Sequence, residues 1–118
     1  MTKEDKYYVY IILCDNNSLY TGITNNLIDR LKKHKTNKGA NYTKIYKPVK
    51  YLSAWCVKNK SIALSVEHFI KKQNKSKKID FINKTSLLKK EYSQYKMKNI
   101  DIKKVYKNTI NKINSNFI

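Results

Sequence analysis

Arginine, glycine, proline and cysteine are all scarce in this 118-residue chain, and acidic residues are thin as well. The two cysteines, Cys14 and Cys56, lie far apart and form no C-x-x-C pair, so a structural zinc site is not expected. Free thiols in a reducing cytosol are the better reading, with a single disulfide as the alternative. No long uninterrupted apolar run is present to span a bilayer, and the stretch from Met1 to Lys6 lacks the apolar core of a secretory signal. These absences point to a cytoplasmic protein with no membrane partner. Eight Asp and Glu stand against 26 Lys and Arg, a formal net charge of +18. A surplus of that size calls for a polyanionic partner, nucleic acid before a membrane surface.

The rare residues are the informative ones. Among the basic residues only Arg30 is an arginine. In a chain so biased toward lysine, a lone arginine marks a place where lysine would not serve. The glycines are Gly22 and Gly39, the proline is Pro48, and the histidines are His34 and His68. Tyrosine is abundant by contrast, with ten copies.

Residues 7–14, Tyr-Tyr-Val-Tyr-Ile-Ile-Leu-Cys, read as a buried strand closed by the turn signal Asp15-Asn16-Asn17-Ser18. Residues 19–24 read as the return strand of a β-hairpin. Thr24 or Asn25 can cap a helix to about Lys35, in which Leu27, Leu31 and His34 follow helical spacing with Arg30 beside them. Residues 36–46 read as a short helix or ordered loop, and Pro48 opens a third strand over 49–57. Asn59-Lys60-Ser61 caps a helix from Ile62 to about Gln73, with Ile62, Val66, Phe69 and Ile70 as its apolar stripe and Glu67 at the margin. Lys75 to Lys78 reads as a basic connector, followed by a helix from Ile79 to about Tyr92. The remainder alternates Lys and Asn with spaced Ile, Val and Tyr.

Two tyrosine-bearing strands, a helix with Arg and His four apart, and a later helix with one carboxylate form a set that resembles the GIY-YIG nuclease family, in its small stand-alone UPF0213 type. Tyr8-Val9-Tyr10 stands where the family has its G-I-Y element, with Tyr8 in place of the glycine. Tyr20-Thr21-Gly22 stands where it has Y-I-G. The segment that follows, through Arg30 to His34, is similar to the family's helix, Lys38-Gly39-Ala40-Asn41-Tyr42-Thr43 resembles its K-G-A element, and Glu67 matches its metal-binding glutamate. The resemblance covers about residues 6–85. Asn74 does not match in register the asparagine of the phage homing members and is left out of the site.

The resemblance implies an α/β fold: a small, mainly antiparallel three-stranded sheet flanked by helices over residues 1–85, with residues 86–118 as a basic extension, helical or partly disordered. It implies a metal-dependent endonuclease acting on DNA, including branched or single-stranded forms, at repair or recombination intermediates. Phosphodiester hydrolysis needs an activated water and stabilisation of charge on the phosphoryl and leaving oxygens. One carboxylate suits Mg²⁺ or Mn²⁺, which gives Glu67 the metal. Arg30 offers a planar fork of donors to the scissile phosphate. Tyr10, following the family, is the general base or water-orienting group, which would require its pKa to fall by about 3 units from its ordinary value near 10. Tyr20 holds nucleophile or phosphate, and His34 accepts or orients a phenolic proton. Lys38, Lys71, Lys72, Lys75, Lys77 and Lys78 form the nucleic-acid-binding patch, and Tyr92, Tyr95 and Tyr106 could stack on unpaired bases.

Taken singly, each of these residues has a plainer reading: strand tyrosines as packing, Arg30 as helix surface, His34 as a satisfied structural histidine, Glu67 as a solvated acid. Gly22 alone is a strand-end turn and Gly39 a loop residue. The alternative function is a non-catalytic basic nucleic-acid-binding protein that retains the fold, which would need the lysines and none of the five site residues.

Overall fold

The computed structural model describes residues 6–36 and 38–116. Tyr7–Cys14 forms β1 and Leu19–Thr24 forms β2, an antiparallel hairpin in which Tyr10 faces Gly22 and Ile12 faces Tyr20. The turn between them is made without glycine. Asn17 takes a left-handed backbone, φ 66°, which asparagine tolerates better than most side chains. On the other edge of β1 lies β3, Pro48–Val57, also antiparallel. Its proline occupies the first position, where no ladder donor is missed.

The sheet has four strands where three were expected. β4, Lys103–Lys104, pairs with β3 at Trp55 and Cys56, giving the order β2-β1-β3-β4. Two exposed lysines carry no alternation that could mark a strand in the sequence. Register also separates the two thiols. Cys56 lies opposite Tyr8, six residues along β1 from Cys14, roughly 20 Å at the rise of a strand.

Among the described residues five helices lie on the two sides of this sheet and a short one joins α1 to β3. α1, Leu27–Lys35, is capped by Asn26, whose side chain accepts from the Asp29 N–H at 3.0 Å. Thr24, expected as a possible cap, instead clasps the backbone of Asn26 with its hydroxyl. α2 is the short Asn41–Ile45. α3, Lys60–Lys71, is capped by Asn59 as its sequence suggests. Lys75 to Lys78 is not a connector: it is the first turn of α4, Lys75–Asn83, with Asn74 as the cap. The helix read as running from Ile79 to Tyr92 is two helices, because Lys84 is extended (φ −146°) and α5, Thr85–Lys96, begins after it. α6 is Lys107–Ser115.

Val9, Ile11, Trp55 and Val57 meet α3, α4 and α5 on one side of the sheet, with Phe69, Phe81 and Tyr92 at the centre. Tyr10, Ile12, Tyr51 and Ala54 meet α1 and α6 on the other. Residues beyond 85 therefore join both layers. Ile100 and Ile102 belong to the first, and Ile110 and Ile113 to the second. Beside β4 the edge of β3 is closed by a side chain: the Asn114 amide takes the Tyr51 N–H and gives to the Tyr51 carbonyl, both at 2.9 Å. Among the described residues no helix is long and apolar enough to cross a membrane.

Candidate active site

Side chains alternate along a strand, so Tyr10, Tyr20 and Gly22 share the face covered by α1, while Val9 and Thr21 share the opposite face. The Tyr10 hydroxyl lies directly over Gly22. A Cβ there would run into that oxygen and come within 2.6 Å of Cζ. Gly39 plays the same part at His34, where a Cβ would overlap Nδ1 and reach 3.0 Å from Cα. Neither glycine has a positive φ. Both glycines of the chain are needed for space, at the two ends of one tyrosine–histidine pair.

Arg30 and His34 project from successive turns of α1 and meet Tyr10 in a directed line of hydrogen bonds. The Thr43 hydroxyl donates its single proton to the Ala40 carbonyl at 3.0 Å. It can therefore only accept from His34 Nδ1–H, at 2.7 Å. That leaves Nε2 bare, so it accepts from the Tyr10 hydroxyl at 2.9 Å. Arg30 Nε–H donates to the same phenolic oxygen at 3.2 Å. One of the guanidinium's five N–H donors is thereby used, and the rest have no protein partner among the described residues.

Electrostatics agree with this tautomer. Burial, joined by the Arg30 charge, pulls the His34 pKa down to about 4, so the imidazole is neutral. Burial pushes Tyr10 up to about 12, outweighing the Arg30 hydrogen bond and charge that act to lower it. The protein groups thus move Tyr10 opposite to the shift toward neutrality expected of a general base, because the ring has no exposed surface. For Arg30 burial works against the charge, but its hydrogen bond to Tyr10 and the nearby phenols raise the pKa overall.

Tyr20 is half-buried and packs edge-on to His34, ring centroids 5.6 Å apart, and at 6.4 Å from Tyr10. Glu67 arrives from α3. Its carboxylate, 17% exposed, pairs with Lys71 at 3.4 Å, and the same ammonium lies 5.6 Å above the Tyr20 ring. Glu67 is close enough to Tyr10 for its charge to raise the phenol's pKa. Tyr10, Arg30 and His34 are thus joined by hydrogen bonds with Tyr20 packed beside them, and Glu67 reaches the group through Lys71 above Tyr20. Among the described residues no three His, Cys, Asp or Glu form a metal-binding group. A single carboxylate is a donor set that fits Mg²⁺, which keeps most of its waters.

A family model described as the GIY-YIG catalytic domain matches residues 6–80. The chain belongs to the GIY-YIG family. It is 37% identical over 100 residues to a UPF0213 protein of Fusobacterium nucleatum, covering 85% of this chain and 98% of the relative. A UPF0213 protein of Clostridium perfringens is 41% identical over 87 residues, 74% of this chain and 94% of that one. The solution NMR structure of a UPF0213 protein from Bacillus halodurans is 33% identical, with a TM-score of 0.41, and the match covers 66% of this chain and 83% of that one.

Other motif positions in this GIY-YIG domain serve the scaffold. Tyr8 is half-buried against the α1 layer and Val9 lies in the opposite core. Thr21 is buried, and its hydroxyl has no partner among the described residues. Of the expected phosphate-tracking lysines, Lys38 and Lys72 are exposed, Lys72 lying 6.0 Å from the Tyr95 ring centroid. Lys75 reaches the Asn17 carbonyl, and Lys77 is held by Glu91 at 3.0 Å. Lys78 is half-buried, and its pKa is lowered by that burial and by neighbouring Lys71. Tyr92 is no stacking surface: it is buried, its hydroxyl bonded to Ser65 at 2.6 Å. Thr43 and Tyr51 received no role from the sequence. Thr43 holds the far side of His34. Tyr51 packs edge-on to Tyr10 at 5.2 Å and ties its hydroxyl to the Leu27 carbonyl of α1 at 2.8 Å. Thr43 stood inside the matched K-G-A segment; Tyr51 had no local signal.

Proposed function

We propose that this chain is a metal-dependent endonuclease that hydrolyses DNA phosphodiester bonds, acting at repair or recombination intermediates, with residues 1–85 as its nuclease domain. The observation that carries this reading is the held guanidinium. Tyr10 occupies Arg30 Nε–H and is itself locked by His34 and Thr43. The guanidinium is thus fixed in advance, with its remaining donors left for a phosphate. Donors fixed before the reaction stabilise developing charge without reorganising during it.

Buried Tyr10 acts here as a positioning group, and the half-exposed Tyr20 is the phenol that orients the attacking water. His34, neutral, accepts the Tyr10 proton at its bare Nε2 and so orients the phenolic oxygen toward Arg30. Glu67 would hold Mg²⁺ or Mn²⁺, which would supply charge neutralisation at the phosphoryl oxygens. Exposed lysines attract the DNA backbone.

The test is a panel of labelled duplex, single-stranded, flap and branched DNAs incubated with Mg²⁺ or Mn²⁺, using wild type and Glu67→Gln. We expect divalent-ion-dependent nicking by the wild type and its loss in Glu67→Gln, with salt-sensitive binding retained. Binding by the wild type without cleavage of any substrate would favour a basic nucleic-acid-binding protein instead.

A further inference from the structure

A second row of rings leads outward from Tyr20. Tyr20 and Tyr42 stack with centroids 5.8 Å apart and planes 24° from parallel, and Tyr42 meets Tyr46 at 4.9 Å. Tyr46 is the residue that ends α2, four positions after Tyr42. The Tyr42 hydroxyl donates to Ser18 Oγ at 2.6 Å, which fastens the row to the hairpin turn. Yet Tyr42 is 36% and Tyr46 38% exposed. The row thus runs from the interior of the site into open water.

Its surroundings are cationic. No Asp or Glu occurs between Asp29 and Glu67. Beside α2 lies a cavity of about 430 Å³ that has Lys35, Lys44 and Lys47 in its wall and no carboxylate. On the inner side the Lys71 ammonium sits over Tyr20. Exposed aromatic faces set among lysines favour a ligand that carries both a flat ring and a phosphate. In a duplex the faces of each base are covered by its neighbours, so only an unpaired base can be stacked on by a side chain.

We propose that Tyr42 and Tyr46 form a stacking platform for an unpaired DNA base, and that the substrate class is DNA with an unpaired nucleotide beside the scissile bond. The second half of this statement rests on the nuclease reading above; the first does not. Tyr46 is the ring to test, since it lies outside the catalytic line.

Single-stranded and duplex oligonucleotides carrying 2-aminopurine, whose fluorescence is quenched by stacking, are titrated with wild type, Tyr46→Phe and Tyr46→Ala. We expect quenching of the single strand by wild type and Tyr46→Phe. Tyr46→Ala should bind it about tenfold more weakly, the scale of one lost base–aromatic stack, while duplex binding stays within about twofold of wild type. In the cleavage panel Tyr46→Ala should slow flap and single-strand cutting by the same factor and leave paired duplex unaffected. Absence of quenching by the wild type, or equal weakening of duplex and single strand in Tyr46→Ala, would overturn the proposal. Quenching without cleavage of any substrate would keep the platform and remove the nuclease reading.

Discussion

Val9 and Ile11 point from β1 into a dry layer with Trp55, Val66 and Phe81, whereas Tyr10, between them, points the other way and meets Arg30, His34 and Tyr51. Both layers exclude water, but they are held by different forces. The first is shape and apolar area, where a side chain of similar volume can substitute at modest cost. The second is a buried polar line, in which each member satisfies the next and any unpaired group costs its full desolvation. The dry layer stabilises the sheet; the wet-chemistry layer uses that rigidity to hold one guanidinium still.

Five substitutions or conditions probe that difference. The largest effect belongs to Arg30→Lys. Lysine keeps the charge but has no Nε–H for Tyr10 and no planar fork, so cleavage should fall by about a hundredfold or more, roughly 3 kcal/mol of transition-state stabilisation. Turnover on the preferred DNA checks this, with thermal unfolding to show that the fold survives. A drop of less than about tenfold would mean the guanidinium is not aimed at the reacting phosphate.

Acid should weaken the polar layer by nearly as much. His34 stays neutral in the folded state down to about pH 4, while in the unfolded chain it titrates near its ordinary 6.5. Above that value neither state takes up the proton and stability is unaffected. Between about 6.5 and 4 only the unfolded chain does, so stability falls on acidification by as much as about 3 kcal/mol. Denaturant unfolding of wild type and His34→Gln across this range should show a steeper loss in the wild type.

Gly22→Ala comes next. The added methyl must displace the buried Tyr10 hydroxyl, and overpacking of this kind costs about 1–3 kcal/mol. Loss of stability should be accompanied by loss of cleavage, since the same displacement unseats Arg30; Gly39→Ala should do likewise through His34. The smallest effect is expected on the dry side. Thr21 buries a hydroxyl with no partner among the described residues, so Thr21→Val should raise stability by about 1 kcal/mol and leave cleavage unchanged. A destabilised Thr21→Val would show that the hydroxyl has a partner after all.

Much of this molecule was legible in local pattern. The hairpin follows from two β-branched and aromatic runs around a turn of Asp, Asn and Ser. The pairing of Arg30 with His34 on one helix face follows from their spacing, and Asn59 announces the start of α3. Other features have no local mark. The cap of α4 was hidden by a lysine run that reads as a connector. The two-residue β4 is set by its pairing with the outer edge of β3 at Trp55 and Cys56. Tyr92, flanked by charged and polar residues, is nonetheless buried by α3, where it bonds Ser65 and packs on Phe69.

Sequence alone determined that Tyr8 and Tyr10 share one side of β1 and Val9 and Ile11 the other, and that Arg30, His34 and Glu67 each sit on a helix. Those facts depend on periods of two and 3.6 residues, which act over a few positions. Only the tertiary structure decided that Gly39 leaves room for the His34 ring, that Thr43 dictates its tautomer, and that Asn114 closes an edge at Tyr51, 63 residues away. Such contacts are set by how packed layers fit against each other, and no local periodicity encodes the distance between two surfaces.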